Sequence, residues 1–191
     1  MAGWGGVVRD CSTTGKISFV IKNLPQGGEL YVGALNGECY CTTENCTADV
    51  DIDFAVAPDA ALTDVKAFVG GLQSSASNMS DCSGKGTIRV QDHPGFSNLC
   101  VGGVVGSERF GIIRQCSSDF SILISDQVNA HIGGIIGEFS AQYGMIGAMT
   151  GVAETTIENC RSTGDWPVSG NGIPDPVGSP FGGTKMKYVV K

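Results

Sequence analysis

Apolar and polar positions alternate strictly in five stretches of the chain, each of them opened by a cysteine. With that cysteine as offset zero, the copies read CSTTGKISFV from Cys11, CTADVDIDFA from Cys46, CSGKGTIRVQ from Cys82, CSSDFSILIS from Cys116 and CRSTGDWPVS from Cys160. A period of two marks a strand with one face inside, because successive side chains of an extended chain point to opposite sides. Offset six is Ile17, Ile52, Ile88, Ile122 and Trp166; offset eight is Phe19, Phe54, Val90, Ile124 and Val168. These columns are predicted to face inward, where each fully buried Ile, Val or Phe contributes roughly 1.5–3 kcal/mol.

Between the cysteine strands lies a second signature: YVGALNG from Tyr31, FVGGLQS from Phe68, CVGGVVG from Cys100 and HIGGIIG from His131. Glycine pairs inside apolar runs, such as Gly102-Gly103 and Gly133-Gly134, permit a bend at a corner or close approach of neighbouring turns. The cysteines are spaced by 35, 36, 34 and 44 residues. A near-constant period with one long interval is a repeat array with an insertion, here at about 138–154. No stretch keeps a helical period, and each interior glycine would weaken a helix by about 1 kcal/mol.

The sequence therefore predicts a single all-β repeat domain over residues 1–191. Its expected form is a parallel β-solenoid (β-helix) of about five units of ~35 residues, entered at Cys11, Cys46, Cys82, Cys116 and Cys160. Truncated glycine units stand near both ends, as WGGVV from Trp4 and FGGTK from Phe181. If these paired, the alternative would be a closed propeller or β-prism-like ring.

The outward columns support stacking. Equivalent residues of stacked strands lie about 5 Å apart. That places Lys16 beside Asp51, Lys85 beside Asp49 and Arg89 beside Asp53, opposite charges on neighbouring copies.

Charge and length narrow the function classes. Twelve basic against 19 acidic residues give a net charge of −7, which argues against nucleic acid or an anionic membrane as the partner. No apolar run approaches the ~18 residues of a membrane helix. The start MAGWGGVVRD lacks the basic and apolar segments of a secretion signal, so either the chain stays inside the cell or a signal has been removed.

Candidate chemistry is sparse. The five recurring cysteines share an inward parity and are expected to form a structural column of buried, reduced thiols. Cys39, Cys41 and Cys46 make C-x-C-x4-C, but neither His93 nor His131 is near enough in sequence to complete a zinc site. Cys39 and Cys41 read as two semi-exposed thiols in a tight turn, or as disulfide partners in an oxidising compartment. Asp49, Asp51 and Asp53 alternate on one strand face and are weak calcium candidates; an outward charge ladder accounts for them better. The repeated Gly-Gly segments lack the helix that a phosphate loop requires. His131 falls in the column of Tyr31, Phe68 and Cys100, and no nucleophile–base pair is visible. No catalytic residue, cofactor or metal is assigned. Carboxylates from distant turns converging for polysaccharide hydrolysis or lysis stays open, by fold analogy alone.

The block VGGVVGSERFGIIRQCSSDFSILIS from Val101, and TTIENCRSTGDW from Thr155, resemble the GLUG-type repeats of large bacterial surface and secreted proteins, including adhesin-like proteins and immunoglobulin A peptidases. The likeness rests on the turns Gly102 to Gly106 and Gly133 to Gly137 and on the order Ile157 to Cys160, within residues 30–170. It departs where Asp10 stands for Asn and where Asn36-Gly37 interrupts the apolar run. The resemblance implies a spacer or adhesive segment displayed outside the cell or on its surface. The expected role is a non-enzymatic structural or adhesive module. Its open ends would engage another copy or a neighbouring domain, and its wider partners would be a glycan or another surface protein. Two alternatives accompany it. One is a carbohydrate-binding or carbohydrate-cleaving domain using the inserted loop with Trp4, Tyr40 or Trp166 as sugar platforms; the other is an intracellular scaffold.

Overall fold

The structure is a computed structural model that describes residues 6–38, 41–125, 130–139, 155–167 and 188–190. Its strands, in chain order, are β1 (Val7–Arg9), β2 (Ser12–Ile21), β3 (Glu29–Gly33), β4 (Asn36–Glu38), β5 (Thr42–Glu44), β6 (Thr47–Val56), β7 (Val65–Gly70), β8 (Gln73–Ser80) and β9 (Ser83–Gln91). They continue as β10 (Phe96–Gly102), β11 (Val105–Arg114), β12 (Ser117–Ser125), β13 (Ala130–Gly133), β14 (Ile136–Phe139), β15 (Thr155–Glu158), β16 (Arg161–Ser162) and β17 (Tyr188–Val190). No helix occurs among the described residues.

Every pairing between these strands is parallel. The chain winds through three sheets in turn. The cysteine-entered strands stack as β2-β6-β9-β12-β16, the Gly-Gly strands as β3-β7-β10-β13, and the third side as β1-β5-β8-β11-β15-β17. This is an all-β parallel solenoid. It holds about three turns, fewer than the five units counted from the cysteines, and the fifth cysteine strand, β16, is only two residues long. The ring alternative is not formed: β1 pairs β5 and β17 pairs β15, at opposite ends of one sheet.

The parity read from the alternation sets the core. Cys46, at the entrance to β6, and Ala48, Val50, Ile52 and Phe54 within it are buried, while Thr47 and Asp49 face out. Ile52, Ile88 and Ile122 lie in register and fully inside. In the first strand the same offsets are less covered, with Ile17 and Phe19 half-buried and Cys11 exposed, because β2 is an edge strand of its sheet. Of the fifth copy, Trp166 is half-buried against the core, and Val168 lies outside the described residues.

Two kinds of corner turn the chain. Just before each cysteine stands a residue with positive φ: Asp10, Asn45, Asp81, Gln115 and Asn159, at 50–55°. Asn and Asp tolerate this left-handed region better than other side chains, which explains the Asp or Asn ahead of four of the five strand-entering cysteines. The N–H of Asp10, Asn45, Asp81 and Gln115 donates to a carbonyl of the following turn at 2.8–3.2 Å. The other corner is the Gly-Gly bend. Gly33, Gly70, Gly102 and Gly133 share one register column, and a Cβ on Gly102 would collide with the Val105 carbonyl. The chain there doubles back so closely that only hydrogen fits. Leu72, Val104 and Ile135 follow the bend and point into the core.

Candidate functional site

The outer face of the cysteine sheet carries the most regular array of polar groups. Because the strands stack in register, Ser12, Thr47, Ser83 and Ser117 form one row, and Thr14, Asp49, Lys85 and Asp119 a second. Neighbours within a row are about 4.8 Å apart. Between the rows runs a groove of about 300 Å³. One wall is hydroxyl; the other alternates in charge, with Lys85 Nζ 3.0 Å from Asp49 Oδ2 and the Thr163 hydroxyl donating to Asp119 Oδ1 at 2.9 Å. Such walls offer donors and acceptors at a constant step across the strands. They supply no nucleophile–base pair.

A second outer groove, of about 460 Å³, lies farther along the same strands between Leu123, Arg89 and Pro167. Leu123 is half exposed there.

Asp49, Asp51 and Asp53 do not converge. Asp49 pairs with Lys85, Asp51 Oδ1 accepts the Thr87 N–H at 2.9 Å, and Asp53 Oδ2 lies 3.3 Å from Lys16 Nζ. The expected oppositions of Lys16 with Asp51 and of Arg89 with Asp53 are present in the register. The Lys16 ammonium nevertheless reaches diagonally to Asp53, which frees Asp51 to satisfy the backbone beside Gly86, a residue at φ 135°. No group of three acidic, histidine or cysteine side chains able to hold a metal occurs among the described residues.

The cysteine column is real in its middle and open at its ends. Cys46, Cys82 and Cys116 are buried, Cys160 is half-buried and Cys11 is exposed. All five thiols make the same bond, donating to the carbonyl two residues upstream at 3.1–3.4 Å. Burial pushes the Cys46 thiol up. Cys116 is raised by hydrogen bonding to Cys160 and Cys82 and by burial, and the same bonds draw Cys82 and Cys160 down. With no open face, Cys82 does not become a reactive thiolate by that lowering. Cys41 is not a semi-exposed thiol: it is buried and disulfide-bonded, while the six other described cysteines are free thiols. Cys39 lies outside the described residues.

The structure brings together one cluster that the sequence pattern does not announce. After the Gly-Gly bend, β14 folds back over β10, and the Glu138 carboxylate, almost fully buried, accepts hydrogen bonds from the Asn98 amide at 2.7 Å and from the Cys100 thiol. Burial, and then the charge of Glu138, hold the Cys100 thiol well above its ordinary value. Glu138 Oε1 and the hydroxyl of Ser107, its register neighbour, have no hydrogen-bond partner among the described residues. His131 lies beside Cys100 in the Tyr31, Phe68, Cys100 column, as the spacing implies. Cys100 is wholly buried, so the arrangement is a sealed polar contact and not a nucleophilic site.

His93 belongs to a turn, where its Nδ1 accepts the Gly95 N–H at 3.0 Å. The aromatic platforms do not assemble among the described residues: Trp166 packs inward near Gly134, and Trp4 and Tyr40 fall outside them. The inserted loop is likewise undescribed from residue 140 to 154, and Glu138 at its start belongs to β14. No known family model, no characterised protein and no solved structure matches the chain.

Proposed function

We propose that the chain is a non-enzymatic structural module that assembles head to tail with further copies of itself. The observation that carries this reading is β2. Ten residues long, it is the edge strand of a parallel sheet, and its Ile17 and Phe19, with Cys11 just before it, are less covered than their equivalents one turn on. An uncovered edge presents unpaired N–H and C=O groups in the spacing that another parallel strand requires. The likeness of the Gly-Gly and Asn-Cys elements to GLUG-type repeats agrees with such a role. The disulfide at Cys41 favours an oxidising location, at or outside the cell surface.

The test is the mass of the native protein across a concentration series by light scattering, with negative-stain microscopy of the same samples. Linear multimers that grow with concentration are expected. A monomer at every concentration overturns the reading.

A second reading rests on the polar groove of the cysteine sheet. Its hydroxyl and charged rows, stepped at about 4.8 Å, suit the hydroxyls of an extended glycan laid across the strands. A glycan array probed with the full chain decides it: binding lost on Lys85→Ala supports the groove, and no binding removes it.

A further inference from the structure

From the strand order we infer that β17 is a displaceable cap, occupying the place that β1 of a second copy takes when two solenoids join. This rests on the head-to-tail reading and specifies its junction. In the third sheet β1, β5, β8, β11 and β15 each lead directly into a cysteine strand, β1 into β2 and so on to β15, which leads into β16. If β2 of a second copy stacks on β16, the β1 that precedes it must stack on the strand that precedes β16, which is β15. That position is occupied by β17, registered with Thr155, Thr156 and Ile157. A continuous stack and a docked β17 exclude each other.

The two competing strands are chemically alike. β1 is Val7-Val8-Arg9, and Val189-Val190-Lys191 covers the last residues of β17 and the one after it. They also use the same register columns. Val7 and Val8 lie against Thr42 and Thr43, which lead through Asn78 and Met79 and then Ile112 and Ile113 to Thr156 and Ile157, where Val189 and Val190 pair. The next column holds Arg9, Glu44, Ser80, Arg114 and Glu158. Arg9 Nη2 is 2.6 Å from Glu44 Oε2 within its own copy. In a joined stack the Arg9 of the second copy would stand between that glutamate and Glu158 of the first. The β1 edge is thus complementary to β15 in both apolar pairing and charge, and Val189 and Val190 of β17 hold the register positions on Thr156 and Ile157 that its two valines would take.

The test compares four full-length chains, wild type, Val190→Asp, Val8→Asp and the double variant, by light scattering at matched concentration, with circular dichroism to verify folding. Val190→Asp places a charge in the column of Met79, Ile113 and Ile157, all of them buried. It should loosen the cap and raise the multimer fraction severalfold. Val8→Asp should lose multimers, and the double variant should remain monomeric. A multimer fraction in Val190→Asp no higher than wild type, in a protein that does assemble, overturns the cap and leaves head-to-tail assembly standing. Assembly of the double variant overturns the cap as well. Monomers throughout overturn both.

Discussion

The ring of Phe120 lies where a side chain on Gly84 would have to be, one turn away in the same sheet. The same ring blocks a Cβ on Gly71 and approaches Gly86, so one large side chain fills the space that three glycines leave. In an interior packed to crystal-like density, volume gained on one side must be lost on the other. Gly84→Ala should destabilise the protein by about 1–3 kcal/mol and Phe120→Ala by about 3–5 kcal/mol. Because both act on one volume, the double variant should be less destabilised than the sum of the two. Chemical denaturation of the four proteins measures this cycle; strict additivity would show that ring and glycine do not share the space.

The corner ahead of Cys116 is the one built with an unsuitable residue. Gln115 sits at φ 52°, where its four counterparts are Asp or Asn. Its N–H already donates to the Glu158 carbonyl at 2.8 Å, so the backbone is fixed and only the side chain is strained. Gln115→Asn should therefore raise stability by about 0.5–1 kcal/mol, a fraction of the left-handed penalty for an ordinary L-residue. Asn45→Val, at the matching corner, should lower it, since it adds a branched side chain at positive φ and removes the 2.6 Å bond from Asn45 Nδ2 to Asp10 Oδ1. Thermal melts of the two variants test the pair. Gln115→Asn melting below wild type would refute the explanation.

These two cases mark what could be read from the residues. Alternation placed Ile52, Ile88 and Ile122 inside because a period of two has one meaning for a half-buried strand, and the equal cysteine spacing put them in register. That the Phe120 ring descends onto Gly84 and Gly71 depends on the height of each turn, which no spacing reveals. Lys16 was aligned with Asp51 and bonds Asp53 instead because a four-carbon stem reaches past its nearest neighbour. The bond from Cys100 to Glu138 joins residues 38 apart on different sheets, brought together by the bend at Gly133-Gly134. That Val189 and Val190 fall in the register columns of Val7 and Val8 could not be read in advance, because three-residue strands are too short to be recognised before their partners are known.

The exposure gradient of the thiol column predicts an order of alkylation. Cys11 is exposed, Cys160 half-buried, and Cys46, Cys82, Cys100 and Cys116 buried. Thiol reagents attack the accessible thiolate, so brief treatment of the native protein at neutral pH should label Cys11 first and Cys160 slowly. The four buried thiols should react only after denaturation. Peptide mass spectrometry reads the sites directly. Rapid native labelling of Cys82 would mean that the stack opens there or that the column is not closed.

Alkaline pH should expose the cost of the buried thiols. Cys46 and Cys100 are raised in the folded protein, Cys46 by burial and Cys100 by burial and then by Glu138, whereas in the unfolded chain they ionise at about pH 8.5. A group raised on folding holds its proton longer in the folded state. Its stabilising effect is complete below the unfolded value and declines as the pH climbs from there through the folded value, at no more than about 1.4 kcal/mol per pH unit for each such thiol. Stability should thus be flat with respect to these groups up to about pH 8.5 and fall beyond it. Cys100→Ala separates the contributions: it removes a donor from a buried carboxylate, so it should be less stable at neutral pH by about 1–3 kcal/mol, but it loses one proton from the alkaline slope. The wild-type and variant curves should draw together as the pH rises from 8 to 10. Parallel curves across that range would show that Cys100 keeps no proton that the unfolded chain gives up.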